Sequence, residues 1–404
     1  MISKLKNLGP GLLFAGAAIG VSHLVQSTRA GADFGLGLLW ALLLVNLFKY
    51  PFFQFGPRYA TATGESLLDG YKKLGKGVLA TYFILSLATM FTIQTAVTIV
   101  TAGLASSLFG DFISIKAWTV IILAICLSLL ILGKYKLLDR LIKIIIITLT
   151  ISTLAAVSMA LFNNTSALSF KQILPENSLE IAFLIAFMGW MPAPLDIAVW
   201  QSLWSIEKNK DTKSYTTKSA LFDFNIGYLG TIILGTGFVL LGTLVMFNSG
   251  ETFSNKAGVF SGQLIKMYTS SLGDWAYIII GVAAFTTMFS TTLTTLDASP
   301  RAMAKTTQLL FKRTPKLNYI FWIALLSIGT IAIFWFLASE MGLLIKIATI
   351  LSFITAPFYA IINYKLICSK HTPKEWHPSK SLHILSILGI VFLIGFSIWF
   401  LTTL

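Results

Sequence analysis

Two prolines stand two residues apart inside a long apolar run. The stretch Met188-Gly189-Trp190-Met191-Pro192-Ala193-Pro194-Leu195-Asp196 lies within residues 181–204, a segment otherwise fit to cross a membrane. Pro192 and Pro194 each remove a backbone donor, so an unbroken helix cannot run through them. A helix that breaks at membrane depth bares carbonyls and amides that lipid cannot satisfy, and such a break must be buried in protein or line a cavity. Around this break the side chains offer two thioethers (Met188, Met191), an indole (Trp190) and a carboxylate (Asp196). A second candidate break is Gly16-Ala-Ala-Ile-Gly20-Val-Ser22-His23, rich in small residues and ending on a hydroxyl and an imidazole. Imidazole and thioether suit the softer transition metals, so His23 and Met191 form the candidate metal pair. The plain alternatives stay open beside it: a histidine hydrogen-bonded across helices and methionines that pack a core.

Ionisable residues inside a membrane are functional suspects by default. Lys49 is the deepest, in Asn46-Leu-Phe-Lys49-Tyr-Pro51, with apolar sequence on both sides. A buried lysine is costly unless it is paired or neutral, and Asp196 is the partner that depth and charge suggest. Lys49, Asp196 and Asp223 are therefore candidates for coupling or proton relay, or for a structural ion pair and a helix cap. Arg29 and Asp297 stand nearer helix ends, where long side chains reach toward water.

These residues need a scaffold of helices. Of 404 residues, 56% are hydrophobic and 11% charged, with a mean hydropathy of +0.80, whereas a soluble domain carries about 25% charged residues. A spanning helix needs roughly 20 apolar residues. Eleven such segments are expected, at about 10–32, 36–60, 77–108, 115–133, 141–162, 179–205, 219–247, 275–297, 318–338, 341–366 and 383–403. The chain is thus expected to be an all-α, multi-pass cell-membrane protein in one domain, 1–404, with a short surface helix in 248–274. No cleavable signal is expected after Lys4 and Lys6. The two cysteines, Cys126 and Cys368, provide no disulfide framework and no metal motif.

The net charge of +14 is not that of a nucleic-acid binder, because its distribution is a topology signal. Lys4 and Lys6 share one side with Arg58/Lys72/Lys73/Lys76, Lys134/Lys136/Arg140/Lys143, Lys208/Lys210/Lys213/Lys218, Arg301/Lys305/Lys312/Arg313/Lys316 and Lys365/Lys370/Lys374/Lys380. The opposite loops hold only Lys116, Lys171, Lys256 and Lys266. That bias puts the N-terminus in the cytoplasm and the C-terminus outside, with some attraction to anionic lipid. The two breaks fall in the first and sixth helices, which start from opposite sides. Interrupted helices in matching positions of two inverted halves mark a secondary transporter. The halves would be 10–162 and 179–366, with 383–403 as an additional helix.

Several motifs resemble the Nramp family of proton-coupled divalent metal transporters, which have a LeuT-like fold. They are Gly9-Pro-Gly11, Arg29-Ala-Gly-Ala-Asp-Phe-Gly35, Leu39-Trp40 through Asn46, Ala62-Thr-Gly-Glu-Ser-Leu67, and Met191-Pro192. The resemblance covers nearly the whole chain and implies a LeuT-like 5+5 inverted repeat plus one helix. It also implies a substrate site at Gly20, His23, Met188, Met191 and Thr355, to which the breaks themselves add Ser22 and Trp190. The departures are specific. The family's Asp-Pro-Gly-Asn is matched by Gly20-Val21-Ser22-His23, the histidine of its Met-Pro-His motif by Ala193, and the glutamine before its tenth-helix Pro-Phe by Thr355. In LeuT-like transporters the eighth helix and the first break can share a sodium site, which here points to Ser290, Thr291 or Thr294 with carbonyls near 16–20. The alternative is hydroxyls bonded to their own helix.

Three functions follow. One is a transporter of a divalent metal ion of the manganese or iron kind, with protons or sodium as coupling ions. Another is a transporter of the same fold for a small organic solute or other ion, favoured by Gly20 in place of the carboxylate. The last is a non-transporting membrane sensor. No cofactor is expected, and no nucleophile–base constellation suggests an enzyme.

Overall fold

The structure is a computed structural model that describes residues 9–132, 135–164, 168–211, 215–247, 249–311, 315–337 and 340–403. Lys4, Lys6, Lys134, Lys213, Lys312 and Arg313 of the charge pattern lie outside the described residues, as do the side chains of Lys136, Arg140, Lys143 and Lys316. Gly133, Thr165, Ser166, Asn248 and residue 338 of the expected helices and loops also lie outside them.

All the described regular structure is helical. In chain order the helices are α1 (Pro10–Ala18), α2 (Ser22–Phe34, opening on a widened turn, Ser22–Ser27), α3 (Leu39–Thr63), α4 (Leu67–Leu74), α5 (Lys76–Phe109), α6 (Ile115–Leu132) and α7 (Tyr135–Asn163). The second half holds α8 (Ser178–Trp190), α9 (Ile197–Asp211), α10 (Thr217–Val245), α11 (Ala257–Leu272), α12 (Tyr277–Phe311), α13 (Pro315–Ala332), α14 (Met341–Ile367) and α15 (Lys380–Thr402). Among the described residues seven helices are long and apolar enough to cross a membrane, and α1 with α2, bent by 46° at their break, makes an eighth if the pair is one span. A helix or helix pair occupies each of the eleven expected intervals.

Local chemistry sets many of the boundaries. Asn177 accepts from Glu180 N at 2.9 Å to start α8, and Thr216 accepts from Ser219 N to start α10; both are side-chain N-caps. Ser66 and Asp69 form a reciprocal capping box at the head of α4, a short amphipathic helix that the hydropathy pattern did not reveal. A helix does lie in 248–274, α11, but it is not a surface helix: Phe260, Leu264, Ile265 and Tyr268 are buried in the core. Helix α12 runs well past the expected end at 297, because Arg301 pairs with Asp297 one turn below (2.7 Å) and Lys305 with Asp69 of α4 (2.9 Å). Arg301 also lies over the Tyr319 ring, whose hydroxyl donates to Asp297 at 2.7 Å.

The broken helices are gripped by backbone-to-backbone contact. A β-carbon on Gly11 of α1 would lie 2.1 Å from Asp223 O of α10, and one on Gly227 would lie 2.1 Å from Gly11 O. Farther along, a β-carbon on Gly242 would meet Thr28 O at 2.3 Å. The α8 half is seated on α14 through Gly189, and α9 on α3 through Gly56, at 2.2 and 2.4 Å from carbonyl oxygens. No side chain fits such gaps, so glycine is what permits them. Gly227→Ala is expected to destabilise the protein by about 1–3 kcal/mol through overpacking, seen as a lower melting temperature in detergent. A variant melting with the parent would show that α1 and α10 do not touch there.

Candidate substrate site between two broken helices

The two interruptions face each other. Helix α1 ends at Ala18, and residues 19–21 pass to α2; α8 ends at Trp190, and Met191–Asp196 pass to α9. The Met191–Pro192 peptide bond is cis. Ser22 Oγ lies 3.2 Å from Pro192 O, so the breaks are in direct contact. The same hydroxyl lies 2.7 Å from Ala18 O and 2.7 Å from His23 Nδ1. One proton thus serves three acceptors, all of them freed by the unwound backbone or the adjoining ring.

His23 is wholly buried. Its Nε2 lies 3.0 Å from Thr231 O of α10. A carbonyl oxygen only accepts, so Nε2 carries the hydrogen and donates. Nδ1 faces Ser22 Oγ and, at 3.1 Å, Ala18 O. Met191 is also wholly buried. Its Sδ and His23 Cδ2 approach the same point, the position of a β-carbon on Gly235, to 3.4 and 3.5 Å. The structure thus brings the candidate metal pair to one glycine of α10, with both imidazole nitrogens turned toward protein oxygens. Among the described residues no group of three or more His, Cys, Asp or Glu side chains is placed to hold a metal.

Lys49 reaches the second break from α3. Its Nζ donates to Met188 O and Gly189 O, both at 2.8 Å, and to Ala193 O at 3.4 Å. The side chain is fully buried. The expected ion pair with Asp196 is not made among the described residues. The reason is local. The last carbonyls of α8 have no intrahelical donors, and the ammonium satisfies them first. Asp196 Oδ1 is buried and has no hydrogen-bond partner.

The remaining candidates divide. Gly20 lies against Thr291 of α12, whose Oγ1 would be 2.8 Å from a β-carbon there. Thr291 Oγ1 lies 3.1 Å from Thr287 O of its own helix, 3.2 Å from Gly16 O and 3.4 Å from Ile19 O, so it is bonded to its own turn and also faces the first break. Ser290 Oγ and Thr294 Oγ1 are buried without partners. Trp190 Nε1 donates to Ser352 Oγ of α14 at 2.7 Å. Thr355, one turn along, bonds to its own helix at Leu351 O and Ser352 O. Asp223 stands apart at the head of α1, accepting from Gly9 N (3.1 Å), Gly11 N (2.8 Å) and the Tyr215 hydroxyl (3.1 Å).

Sequence reasoning missed Gln94, a fully buried amide that accepts from Thr295 Oγ1 at 2.7 Å and donates to Thr292 O at 3.3 Å, tying α5 to α12. A lone amide in an apolar helix was the available signal. Ser352 and the Thr231 carbonyl were also missed, and nothing in their sequence neighbourhood marks them.

The space between the breaks is small. A cavity of about 20 Å³ lies there, bordered by Ala18, Ser22, Trp190, Pro194, Trp200 and Thr291. That is about one water. A vestibule of about 480 Å³ lies beyond α2 and α8, reaching Gln26 and Arg29, and one of about 360 Å³ lies at the opposite end, between Asp69, Glu207, Arg301 and Lys305.

A closed central site between two broken helices, with a recess at each end, defines an integral membrane protein built as transporters are built. The solved structures that resemble it share that fold. A manganese transporter from Eremococcus coleocola, in complex with an aromatic bis-isothiourea compound, superposes with a TM-score of 0.74 at 13% identity, covering 98% of this chain and 86% of its own. Mhp1, a nucleobase-cation-symport-1 family transporter, gives 0.63 at 14% identity over 98% and 93%. MhsT in complex with L-phenylalanine gives 0.66 at 13% identity over 96% and 98%. The model of the natural resistance-associated macrophage protein-like (Nramp) family matches residues 11–403. Uncharacterized protein PM0681 of Pasteurella multocida (strain Pm70) is 36% identical over 406 residues, covering 99% of this chain and 92% of that protein. The chain belongs to the Nramp-like family of membrane transporters.

Asp223→Ala is expected to cost about 1–3 kcal/mol, because two amides at the head of α1 lose a charged acceptor. Denaturation of the purified protein measures this. An unchanged stability would show that water satisfies those amides equally well.

Proposed function

We propose that the chain is a secondary active transporter that carries a divalent metal ion of the manganese or iron kind by alternating access, coupled to protons. One observation carries the reading. The two breaks meet at Ser22 and Pro192, and the imidazole of His23 and thioether of Met191 converge on Gly235 beside that contact. Met188, Trp190, Gly20 and Thr355 are the further residues assigned to the substrate path. Recesses at both ends of a closed centre fit a site that opens to one side at a time. Lys49, Asp196 and Asp223 are the groups assigned to proton relay; the unpartnered Asp196 Oδ1 supports it as the acceptor. Ser290, Thr291 and Thr294 with the Gly16 and Ile19 carbonyls form the alternative coupling-ion site, for sodium. The architecture is eleven spans in the cell membrane, halves 10–162 and 179–366 inverted on each other and 383–403 additional, N-terminus cytoplasmic and C-terminus outside.

A second reading, transport of a small organic solute or another ion, has its own support. Gly20 offers no carboxylate, both nitrogens of His23 face protein oxygens, and the cavity rim carries the indoles of Trp190 and Trp200. Without an anionic oxygen the site lacks the largest attraction for a hard or borderline divalent ion.

Proteoliposomes separate the two. Manganese uptake driven by an inward proton gradient is expected, falling about tenfold or more in His23→Ala and in Met191→Ala, a loss of about 1.4 kcal/mol or more at the transition state. No uptake of any divalent ion by the parent protein discards the metal reading and leaves the solute. The topology is checked by single cysteines: one placed after Leu401 is expected to react with an impermeant maleimide on intact cells, and one at Lys72 only after lysis.

A further inference from the structure

The second break exposes a set of oxygens that a cation satisfies, and that set is already filled. Met188 O and Gly189 O belong to the last turn of α8 and Ala193 O to the unwound segment beyond it. All three converge on one atom, Lys49 Nζ, at 2.8, 2.8 and 3.4 Å. The number of acceptors matches an ammonium. An ammonium has three N–H donors and no acceptor, and it meets three acceptors here. A neutral amine would leave one carbonyl without a donor and its own lone pair facing oxygen. The C-terminus of a helix carries the negative end of its dipole, which adds to the attraction. Lys49 is fully buried, so water does not compete for the ammonium.

The geometry points to a primary-ammonium seat at the end of α8, built from the Met188, Gly189 and Ala193 carbonyls and occupied from within by Lys49. The seat is closed to any outside cation while Lys49 is in it. The ammonium in the seat opposes a second cation on the same oxygens. The hydrogen bonds support this seat without the transport reading.

Removing the side chain while leaving the oxygens in place tests the seat directly. Purified full-length Lys49→Ala in detergent is expected to melt about 5 °C or more below the parent, because three buried carbonyls lose their donor. Millimolar n-butylammonium, which replaces the missing chain and charge, is expected to restore most of that loss with saturation. n-Butanol and tetramethylammonium at the same concentrations are expected not to, since the first lacks the charge and the second lacks N–H donors. Equal restoration by n-butanol, or a variant that melts with the parent, would reduce Lys49 to packing and overturn the proposal. Restoration by manganese(II) in place of n-butylammonium would overturn the assigned ligand class. Where Lys49→Ala does not survive purification, Lys49→Gln, with two N–H donors, is expected to melt above Lys49→Met, with none. Met equal to or above Gln overturns the seat.

Discussion

Backbone polar groups at membrane depth must find partners inside the protein, and the centre of this molecule is organised around the oxygens that two interrupted helices leave bare. At the first break, Ala18 O takes the Ser22 hydroxyl, while Gly16 O and Ile19 O take Thr291. At the second, three carbonyls take Lys49. The donors come from different helices in each case, so neither break can change shape without moving a neighbour. The close glycine contacts serve the same constraint. They bring α10, α14 and α3 near enough for short side chains and one long one to reach the bared backbone.

The sequence showed clearly where the helices must break. Pro192 and Pro194 exclude a continuous helix by covalent structure alone, and that conclusion needs no tertiary information. The first break was weaker in sequence, a run of small residues with polar ones after it, yet the unwound residues 19–21 lie inside the stretch 16–23 where it was read. Apolar runs located every long helix because the membrane imposes their length. What hydropathy could not show was where charged side chains extend a helix beyond the apolar run, as Arg301 and Lys305 do in α12, or cap a short amphipathic one, as Ser66 and Asp69 do in α4.

The positions of the candidate residues were legible, their contacts less so. Ser22, His23, Met191 and Trp190 were singled out, and all lie at or beside the two breaks. Their hydrogen-bond partners were not legible, because three of them are main-chain oxygens whose availability depends on tertiary placement. Thr231 O, Pro192 O and Ala18 O carry no side-chain signature. The reading of Lys49 with Asp196 shows the same limit. Charge and depth suggested a pair, but an ammonium deep in a helical protein has a second class of acceptor, the carbonyls of a helix terminus. A sequence names carboxylates and does not name those.

Two consequences of the hydrogen-bond pattern bear on how the halves act together. Ser22 and Pro192 join the breaks through a single hydroxyl whose proton has three acceptors. Rotation of that hydroxyl exchanges a bond within the first break for one across to the second. Thr291 ties the first break to α12, and Gln94 ties α12 to α5 through Thr295 and the Thr292 carbonyl. Lys49 ties the second break to α3, and α3 is in turn joined to α10 by the Tyr228 hydroxyl on Asn46 O at 2.6 Å. Both breaks therefore connect to α10, one through His23 on Thr231 and the other through α3. A displacement of α10 is felt at both, whereas a displacement of α12 is felt first at the break that Thr291 holds. The links follow from who satisfies the bared oxygens: direct at the Ser22–Pro192 contact, and indirect through α10.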